Sequence, residues 1–214
     1  ETNQISKNYS SVLNSFLKKL DSAGLALVEK NLTAQYMNQV RLTANQLISM
    51  EYEYFTPTLP NILAVMTNAP GAEYIVLNKS YEKYQRLLTE RDRLRSLLDS
   101  FLKKYDALLV PVTMAAAYPL PEIKFDMGMA DVTTNIKIDG KDYFNIVVDV
   151  AYVKLFNLTG HPVVVIPIGF TDEGMPVGIQ VVGKRWRDAE LLVVAQQLFE
   201  AAGEFKHPPG YMDK

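Results

Sequence analysis

The sequence contains no cysteine, only two histidines and, after Ser100, no serine. Without cysteine the chain forms neither a disulfide nor a thiolate zinc site, and it has no thiol nucleophile. No carboxylate cluster stands at ligand spacing around His161 or His207, so we expect no metal. These absences exclude the commonest nucleophilic and metal chemistries from the second half of the chain.

Long apolar runs and an excess of one charge are also missing. No apolar run approaches the ~20 residues of a transmembrane helix, and the polar start is unlike a secretory signal. The 22 basic and 24 acidic residues give a net charge of −2, so no global field attracts nucleic acid or an anionic membrane. We therefore expect no membrane association and no direct nucleic-acid partner, and the lack of cysteine is compatible with the cytoplasm.

The composition is that of a globular protein, because 48% of the 214 residues are hydrophobic and can bury a sizeable core. We expect a single domain over 1–214. Apolar spacing predicts helices around Ser10 and Ser11, over 38–54 and over 81–104, the last with Ser80 as its cap. Its charged face is expected to be solvated, as mixed charges on helices usually are; it comprises Glu90, Arg91, Asp92, Arg93 and Arg95.

Two further patterns predict β-structure before the C-terminal segment. The apolar run from Leu25 to Val28 predicts a strand. Asp139 and Gly140 form a dipeptide that favours a tight primed turn, so a hairpin is expected around them. Both patterns fit a layered arrangement of helices and strands.

The segment from Asn157 to Glu200 is the most informative part of the chain. The continuous run from Val163 to Ile166 predicts a strand buried on both faces. Glycines and turn formers then return the chain as a neighbouring strand from Val177 to Val182. Asp188 is expected to cap a helix that ends at Gly203.

A short basic stretch joins that strand to that helix. Lys184, Arg185 and Arg187 could bind a phosphate before the helix start. The alternative, which we favour, is solvated charge with the ring of Trp186 packed against the protein.

Four stretches together resemble the C-terminal part of the amidase signature family: YDALLVPVT, NLTGHPVVVIPIGF, GMPVGIQVVGKRW and DAELLVVAQQLFE. The resemblance is strongest over 87–211. It implies an α/β fold in which a mixed β-sheet is flanked by helices. Enzymes of that family cleave carboxamides without a metal or organic cofactor, so none is expected here.

The resemblance also defines what is missing. The family's triad of serine, cis-serine and lysine lies in its N-terminal half, where a loop of the GGSSGGS type supplies oxyanion-hole amides. No such loop is present, and Ser10-Ser11 follows Tyr9 on a predicted helix. We expect no catalytic residue in this chain, which also begins at Glu1. A fragment, a subunit or a processed product of an amidase is therefore expected, with the N-terminal catalytic half as its partner and a small-molecule amide as substrate.

The resemblance suggests five candidate substrate contacts: Tyr143, Asn145, Asn157, Thr159 and His161. The first two follow a loop of the kind that shapes amidase pockets, although simple hairpin packing is the alternative for Tyr143. The last three precede the predicted strand. A hydrogen-bonded structural histidine is the favoured interpretation of His161, because no serine or cysteine is close to it in sequence.

Two other functions remain open at this point. The chain could be a non-catalytic interaction module derived from an amidase. It could also belong to the glutaminase subunit of a glutamyl-tRNA amidotransferase, which would require tRNA and a partner subunit. If a shared sheet is cut, an unpaired strand edge also favours a homo-oligomer.

Overall fold

The computed structural model describes residues 5–51, 66–67, 76, 79–118, 124–126, 129–131, 135–144 and 152–203. The helices are α1 (Lys7–Ser22), α2 (Ala34–Glu51), α3 (Tyr81–Leu102), α4 (Val153–Thr159) and α5 (Asp188–Ala202). The strands are β1 (Leu108–Pro111), β2 (Lys124–Asp126), β3 (Met129–Asp131), β4 (Asn135–Ile138), β5 (Lys141–Phe144), β6 (Val163–Phe170) and β7 (Pro176–Val182). The α/β class is confirmed, and the described strand pairs are antiparallel.

The chain forms two compact units. The first comprises Glu1–Glu29, Asp106–Val153 and Pro162–Lys214, and the second comprises Lys30–Tyr105 and Lys154–His161. Both units are therefore assembled from segments that are distant in sequence. The expectation of one domain over 1–214 stays a prediction.

The first unit is organised around a three-stranded sheet with the order β1-β7-β6. Helices α1 and α5 pack against it, and the buried core includes Phe16 and Leu20 of α1 and Leu191 and Leu198 of α5. The expected hairpin of β6 and β7 is confirmed, with Val164 opposite Val181 and Ile166 opposite Ile179. A bulge follows Pro167, where Gly169 has a φ of 151° and a Cβ would meet the Val12 side chain at 3.0 Å.

The prediction that β6 is buried on both faces is wrong. Ile166 and Ile168 are buried, whereas Val165 beside Ile166 is 56% exposed. Side chains alternate across a strand, and α1 and α5 cover the face to which the two isoleucines point. A continuous β-branched run therefore leaves an apolar side chain in solvent here.

Tyr9 connects α1 to the sheet where the backbone ladder of β1 and β7 stops. The last paired residues are Pro111 and Ile179. At the next position the Tyr9 hydroxyl donates to the Gly178 carbonyl at 2.5 Å and accepts from the Val112 N–H at 3.2 Å. Its hydroxyl thus takes the place of one backbone hydrogen-bonding position of the ladder. Burial raises the pKa of the Tyr9 hydroxyl.

The hairpin of β4 and β5 turns as expected. Asp139 and Gly140 have φ values of 49° and 83°, which is the pair of positive angles that a primed two-residue turn requires. The Asp139 carboxylate accepts a hydrogen bond of 2.9 Å from the Lys7 N–H at the start of α1. Ile138 packs with Met114 in a small second core.

The second unit is built on α2 and α3, which pack together. The α3 side contributes a stripe of buried leucines at 87, 94, 98 and 102, and Val40 and Leu47 are buried on α2. The Tyr36 hydroxyl donates to the Leu94 carbonyl at 3.1 Å. Ser80 caps α3 as expected, since its side chain accepts from the Lys83 N–H.

Three local predictions are corrected. Leu25–Val28 is not a strand. Val28 is exposed, so the backbone there remains accessible to water, and no described strand pairs with it to replace those hydrogen bonds. Asp188 is the first helical residue of α5, and Arg187 occupies the cap position without a side-chain hydrogen bond. Trp186 is 87% exposed and is not packed against the protein; its φ of 63° is a positive, left-handed value within the turn before α5.

We predict that Tyr9→Phe destabilises the first unit by about 1 to 3 kcal/mol, because the partly buried Gly178 carbonyl and Val112 N–H lose their shared partner. Urea unfolding and amide exchange at Val112 measure this effect. Tyr81→Phe is the matched control, since Tyr81 is exposed. Equal urea midpoints for the two variants would contradict the role assigned to Tyr9.

Candidate functional site

Three of the predicted site residues lie at the C-terminal end of α4, in the second unit. Helix α4 ends at Thr159, and Gly160 adopts a φ of 68° while its N–H donates to the Phe156 carbonyl at 2.7 Å. This is the left-handed termination that glycine favours, and Pro162 prevents further helix. Asn157 is exposed on this short helix, whereas Thr159 and His161 are buried.

Thr159 and His161 contact each other. The Thr159 hydroxyl oxygen lies 3.0 Å from His161 Nδ1 and donates to the Leu155 carbonyl at 3.1 Å. On the other side of the ring, Nε2 lies 3.3 Å from Oδ1 of Asp99. Nδ1 is therefore within hydrogen-bond reach of a hydroxyl, whereas Nε2 lies near a carboxylate without the alignment of a hydrogen bond.

Helix α3 supplies two charged side chains to this turn. Asp99 reaches the His161 ring, and Arg95 donates from Nε to the Thr159 carbonyl at 3.0 Å. Arg95 also pairs with Asp92 at 3.0 Å. A cation at a helix C-terminus stabilises its unpaired carbonyls, so Arg95 caps α4 from a neighbouring helix.

The order hydroxyl, imidazole and carboxylate is that of a nucleophile, a base and an orienting acid. However, the exposed fraction of Thr159 is 0%, and its hydroxyl already donates to Leu155. A nucleophile must reach its substrate, and this one is enclosed. The geometry therefore supports the structural interpretation of His161.

The structure does not bring all five predicted residues together. Tyr143 belongs to the first unit, where it packs against the cluster of Met114 and Ile138. Asn145 lies outside the described residues. A substrate-binding role for Tyr143, Asn157, Thr159 or His161 stays a prediction.

Burial perturbs two titratable groups of the second unit. It raises the pKa of the Tyr36 hydroxyl, the Asp99 carboxylate raises this pKa further, and Arg93 lowers it. Burial lowers the pKa of Lys154, and the Arg41 cation lowers it further. Lys154 nevertheless donates to the Asn45 side chain at 2.8 Å.

The Ser10-Ser11 pair lies on α1 in the first unit, as predicted. Ser11 borders a surface groove of about 210 Å³ between α1 and the end of β6. Lys19 also borders the groove, but its Nζ donates to the Ala202 carbonyl at 2.6 Å and so caps α5. No strained turn presents Ser10 or Ser11, since both are ordinary helical residues.

Within the described ranges, no group of three or more histidines and carboxylates could hold a metal ion. None of the helices described is both long enough and apolar enough to cross a membrane.

Sequence reasoning missed Arg95 and Asp99 as parts of this site. The sequence pattern predicts a solvated face for Arg95, yet its side chain is only 25% exposed. The sequence pattern that could have identified them is their position directly after a leucine of the buried stripe, Leu94 for Arg95 and Leu98 for Asp99. A charged residue at the border of an apolar stripe can face a neighbouring element, whereas the middle of the polar face cannot.

Comparisons with known proteins point to one family. The profile of the family described as Amidase matches residues 3–192. A fatty acid amide hydrolase from Medicago truncatula is 29% identical over 119 residues, covering 56% of this chain and 18% of that protein. A glutamyl-tRNA(Gln) amidotransferase subunit from Ruegeria pomeroyi is 32% identical over 130 residues, covering 58% of this chain and 23% of that protein.

A solved structure extends this likeness to the fold. The structure of an amidase aligns with a TM-score of 0.65 and 22% identity, covering 92% of this chain and 42% of the amidase chain. The matched part therefore spans about a fifth of the two curated relatives and less than half of the solved amidase.

We predict that Tyr36→Phe reduces the pH dependence of stability above about pH 10. The neutral hydroxyl is favoured in the folded chain, so its contribution is complete below the ordinary value of ~10 and is lost as pH rises through the higher folded pKa. Urea midpoints should differ most near neutral pH, where the variant also lacks the bond to Leu94, and converge in alkali. A difference that grows with pH would contradict this sign.

Proposed function

Because the chain belongs to the amidase family, we propose that it forms the C-terminal part of an enzyme that hydrolyses carbon–nitrogen amide bonds. The observation that carries the proposal is the family match over 3–192, which includes most of both compact units. The sequence motifs around β1, β6, β7 and α5 support a C-terminal location.

The proposed reaction proceeds through an acyl-serine intermediate. A serine oxygen attacks the amide carbon, the amine leaves with a proton, and water then cleaves the ester to release the acid. We assign the serines, the lysine and the oxyanion-hole amides to the N-terminal half of the enzyme. This assignment is supported by the lack of cysteine, of a glycine-serine loop and of serine after Ser100.

The proposed role of this chain is to complete the sheet and form one wall of the substrate pocket. Within the described residues, β6 pairs with β7 on one side only, and no described strand pairs with its other edge. The apolar side chain of Val165 is exposed on the same strand. An open apolar strand is a template for another strand, and the N-terminal half is the proposed partner.

The amidase and the transamidosome alternatives differ in the class of substrate. The relatives include a fatty acid amide hydrolase and a glutamyl-tRNA(Gln) amidotransferase subunit, whose names indicate different substrates. Pocket residues decide such differences, and a fold does not. The transamidosome alternative would add tRNA and a partner subunit, whereas the proposed amidase needs only a small amide and no cofactor. We place the enzyme in the cytoplasm, consistent with the absence of cysteine.

We predict that the purified 214-residue chain does not hydrolyse simple aryl or aliphatic amides, because it lacks the serine and lysine of the triad. Release of amine from an anilide and of ammonia from a primary amide measures this directly. Hydrolysis that persists through repurification and is abolished by a serine-directed inactivator would overturn the division of roles.

Reading the coding sequence upstream of Glu1 is the matching genetic test. A GGSSGGS-like loop preceded by a strand with a lysine supports the hydrolase. A native start codon directly before Glu1 would instead favour a non-catalytic interaction module. The two outcomes therefore separate an enzyme from a binding protein.

We also predict that the chain self-associates through β6 when its partner is missing, and that Val165→Lys lowers the association constant at least tenfold, about 1.4 kcal/mol. Sedimentation over a concentration series measures this constant. Leu192→Lys on α5 is the control, because Leu192 is as exposed but lies on a helix. A strictly monomeric chain, or equal effects of both variants, would contradict the open-edge hypothesis.

A further inference from the structure

The turn between β7 and α5 presents a large aromatic side chain to solvent. Trp186 is the only tryptophan of the chain and is 87% exposed. Tryptophan is highly buried on average in folded proteins, because its indole removes more apolar surface from water than most side chains do. The turn therefore holds in solvent a side chain that gains much free energy from contact with another surface.

The backbone of the turn is strained at the same residue. The Arg187 N–H donates to the Lys184 carbonyl at 3.2 Å, which closes a four-residue turn with Trp186 in the third position. The φ of Trp186 is 63°, a value for which glycine or asparagine is favoured at this position. A bulky residue in the left-handed region is an outlier, and such outliers cluster at functional sites. The conformation of Trp186 thus indicates a role outside the core.

Packing on both sides fixes the turn. Before it, the Gly183 N–H donates to the Pro162 carbonyl at 2.9 Å, and a Cβ on Gly183 would lie 3.0 Å from the Cβ of Leu191. After it, the Leu191 N–H donates to the Arg187 carbonyl at 3.0 Å. A side chain on a fixed backbone loses less conformational entropy on binding, and tryptophan is enriched among the residues that dominate interface energies.

The charges around the indole indicate the chemistry of a partner. Lys184, Arg185 and Arg187 flank it in sequence, and Arg187 pairs with Glu190 at 2.7 Å. Asp188 also lies in the first turn of α5, so carboxylates alternate with the cations. A layer of lipid headgroups or a nucleic acid is uniformly negative and would be repelled by these carboxylates. A protein surface can oppose each charge separately, so the mixed pattern favours a protein partner with acidic groups beside an apolar pocket.

The turn follows directly from the residue that pairs with the start of β6. Val182, the last residue of β7, lies opposite Val163, and the hydrogen bond from Gly183 to Pro162 continues this pairing. The turn and the start of β6 therefore lie at the same end of the first unit. No described strand pairs with the other edge of β6, where Val165 is exposed. A partner that pairs with this edge could thus also reach the turn.

We propose that Trp186 anchors this chain to the N-terminal half of the enzyme, with the indole in an apolar pocket and Lys184 and Arg185 opposite carboxylates of that half. This inference rests on the proposed function, which supplies the partner. Pairing along a strand edge alone leaves the register open to slippage by one or more residues. A side-chain anchor beside the edge selects a single register.

Co-expression of the chain with its upstream coding region provides the complex for a direct test. Incorporation of fluorinated tryptophan gives Trp186 a fluorine resonance, identified as the one missing from the Trp186→Phe variant. In the chain alone this resonance should shift when heavy water replaces water, and in the complex it should not, because the indole is buried. Amide hydrolysis by the same complex measures the proposed function separately.

The outcomes separate the anchor from the proposed function. An active complex in which the Trp186 resonance still responds to heavy water would overturn the anchor and leave the amidase assignment intact. Failure of the two halves to form a complex would overturn both. Burial of Trp186 by vesicles of anionic phospholipid, with no burial in the complex, would overturn the anchor in favour of a lipid surface.

Trp186→Asn distinguishes docking from stability. Asparagine tolerates a positive φ, so the urea midpoint of the chain alone should be unchanged or higher. The dissociation constant of the complex should rise about tenfold or more, as for the loss of a dominant interface residue. Tyr81→Asn is the control for affinity, because Tyr81 is 79% exposed and belongs to the second unit. An unchanged dissociation constant for Trp186→Asn would overturn the proposal.

Lys184→Glu tests the charge assigned to the partner. This change should weaken the complex and reduce the dependence of its dissociation constant on salt, since an attraction between opposite charges is lost. Lys18→Glu is the matched control, because Lys18 is an exposed lysine of α1 in the same unit. Equal effects of the two variants, or a tighter complex with Lys184→Glu, would overturn the acidic pocket.

Discussion

Burial of one face of the β1–β7–β6 sheet against α1 and α5 is the constraint on which the first unit depends. Ile166 and Ile168 of β6 and Val181 of β7 point to that face, and Phe16 and Leu191 meet them from the helices. Because side chains alternate along a strand, the same burial directs Val165 outward. The core and the exposed apolar side chain of β6 are two consequences of a single arrangement.

Polar side chains complete the backbone hydrogen bonding where regular elements stop. The Tyr9 hydroxyl replaces a missing rung beyond β1, and Lys19 caps the C-terminus of α5. In the second unit Arg95 caps α4 in the same way. An unpaired buried N–H or carbonyl is costly, so these contacts couple helices and strand ends that are distant in sequence.

The proposed role of this chain in an amidase does not include supplying the catalytic groups. The family match covers most of the sequence, whereas no glycine-serine loop of the GGSSGGS type is present in it. Thr159, His161 and Asp99 show why a suggestive order of side chains does not suffice: the hydroxyl is enclosed and already donates to Leu155. Access to the substrate, and not the order of groups alone, distinguishes a nucleophile from a structural hydrogen bond.

The sequence by itself determined several local elements and indicated the family. The turn at Asp139 and Gly140, the β6–β7 hairpin and the cap at Ser80 depend on neighbours in the chain, so short patterns predict them. Only the tertiary structure decided that Leu25–Val28 is not a strand, that Trp186 is exposed, and that Arg95 and Asp99 meet Thr159 and His161. Those outcomes depend on which distant surfaces pack together, and local spacing carries no information about that.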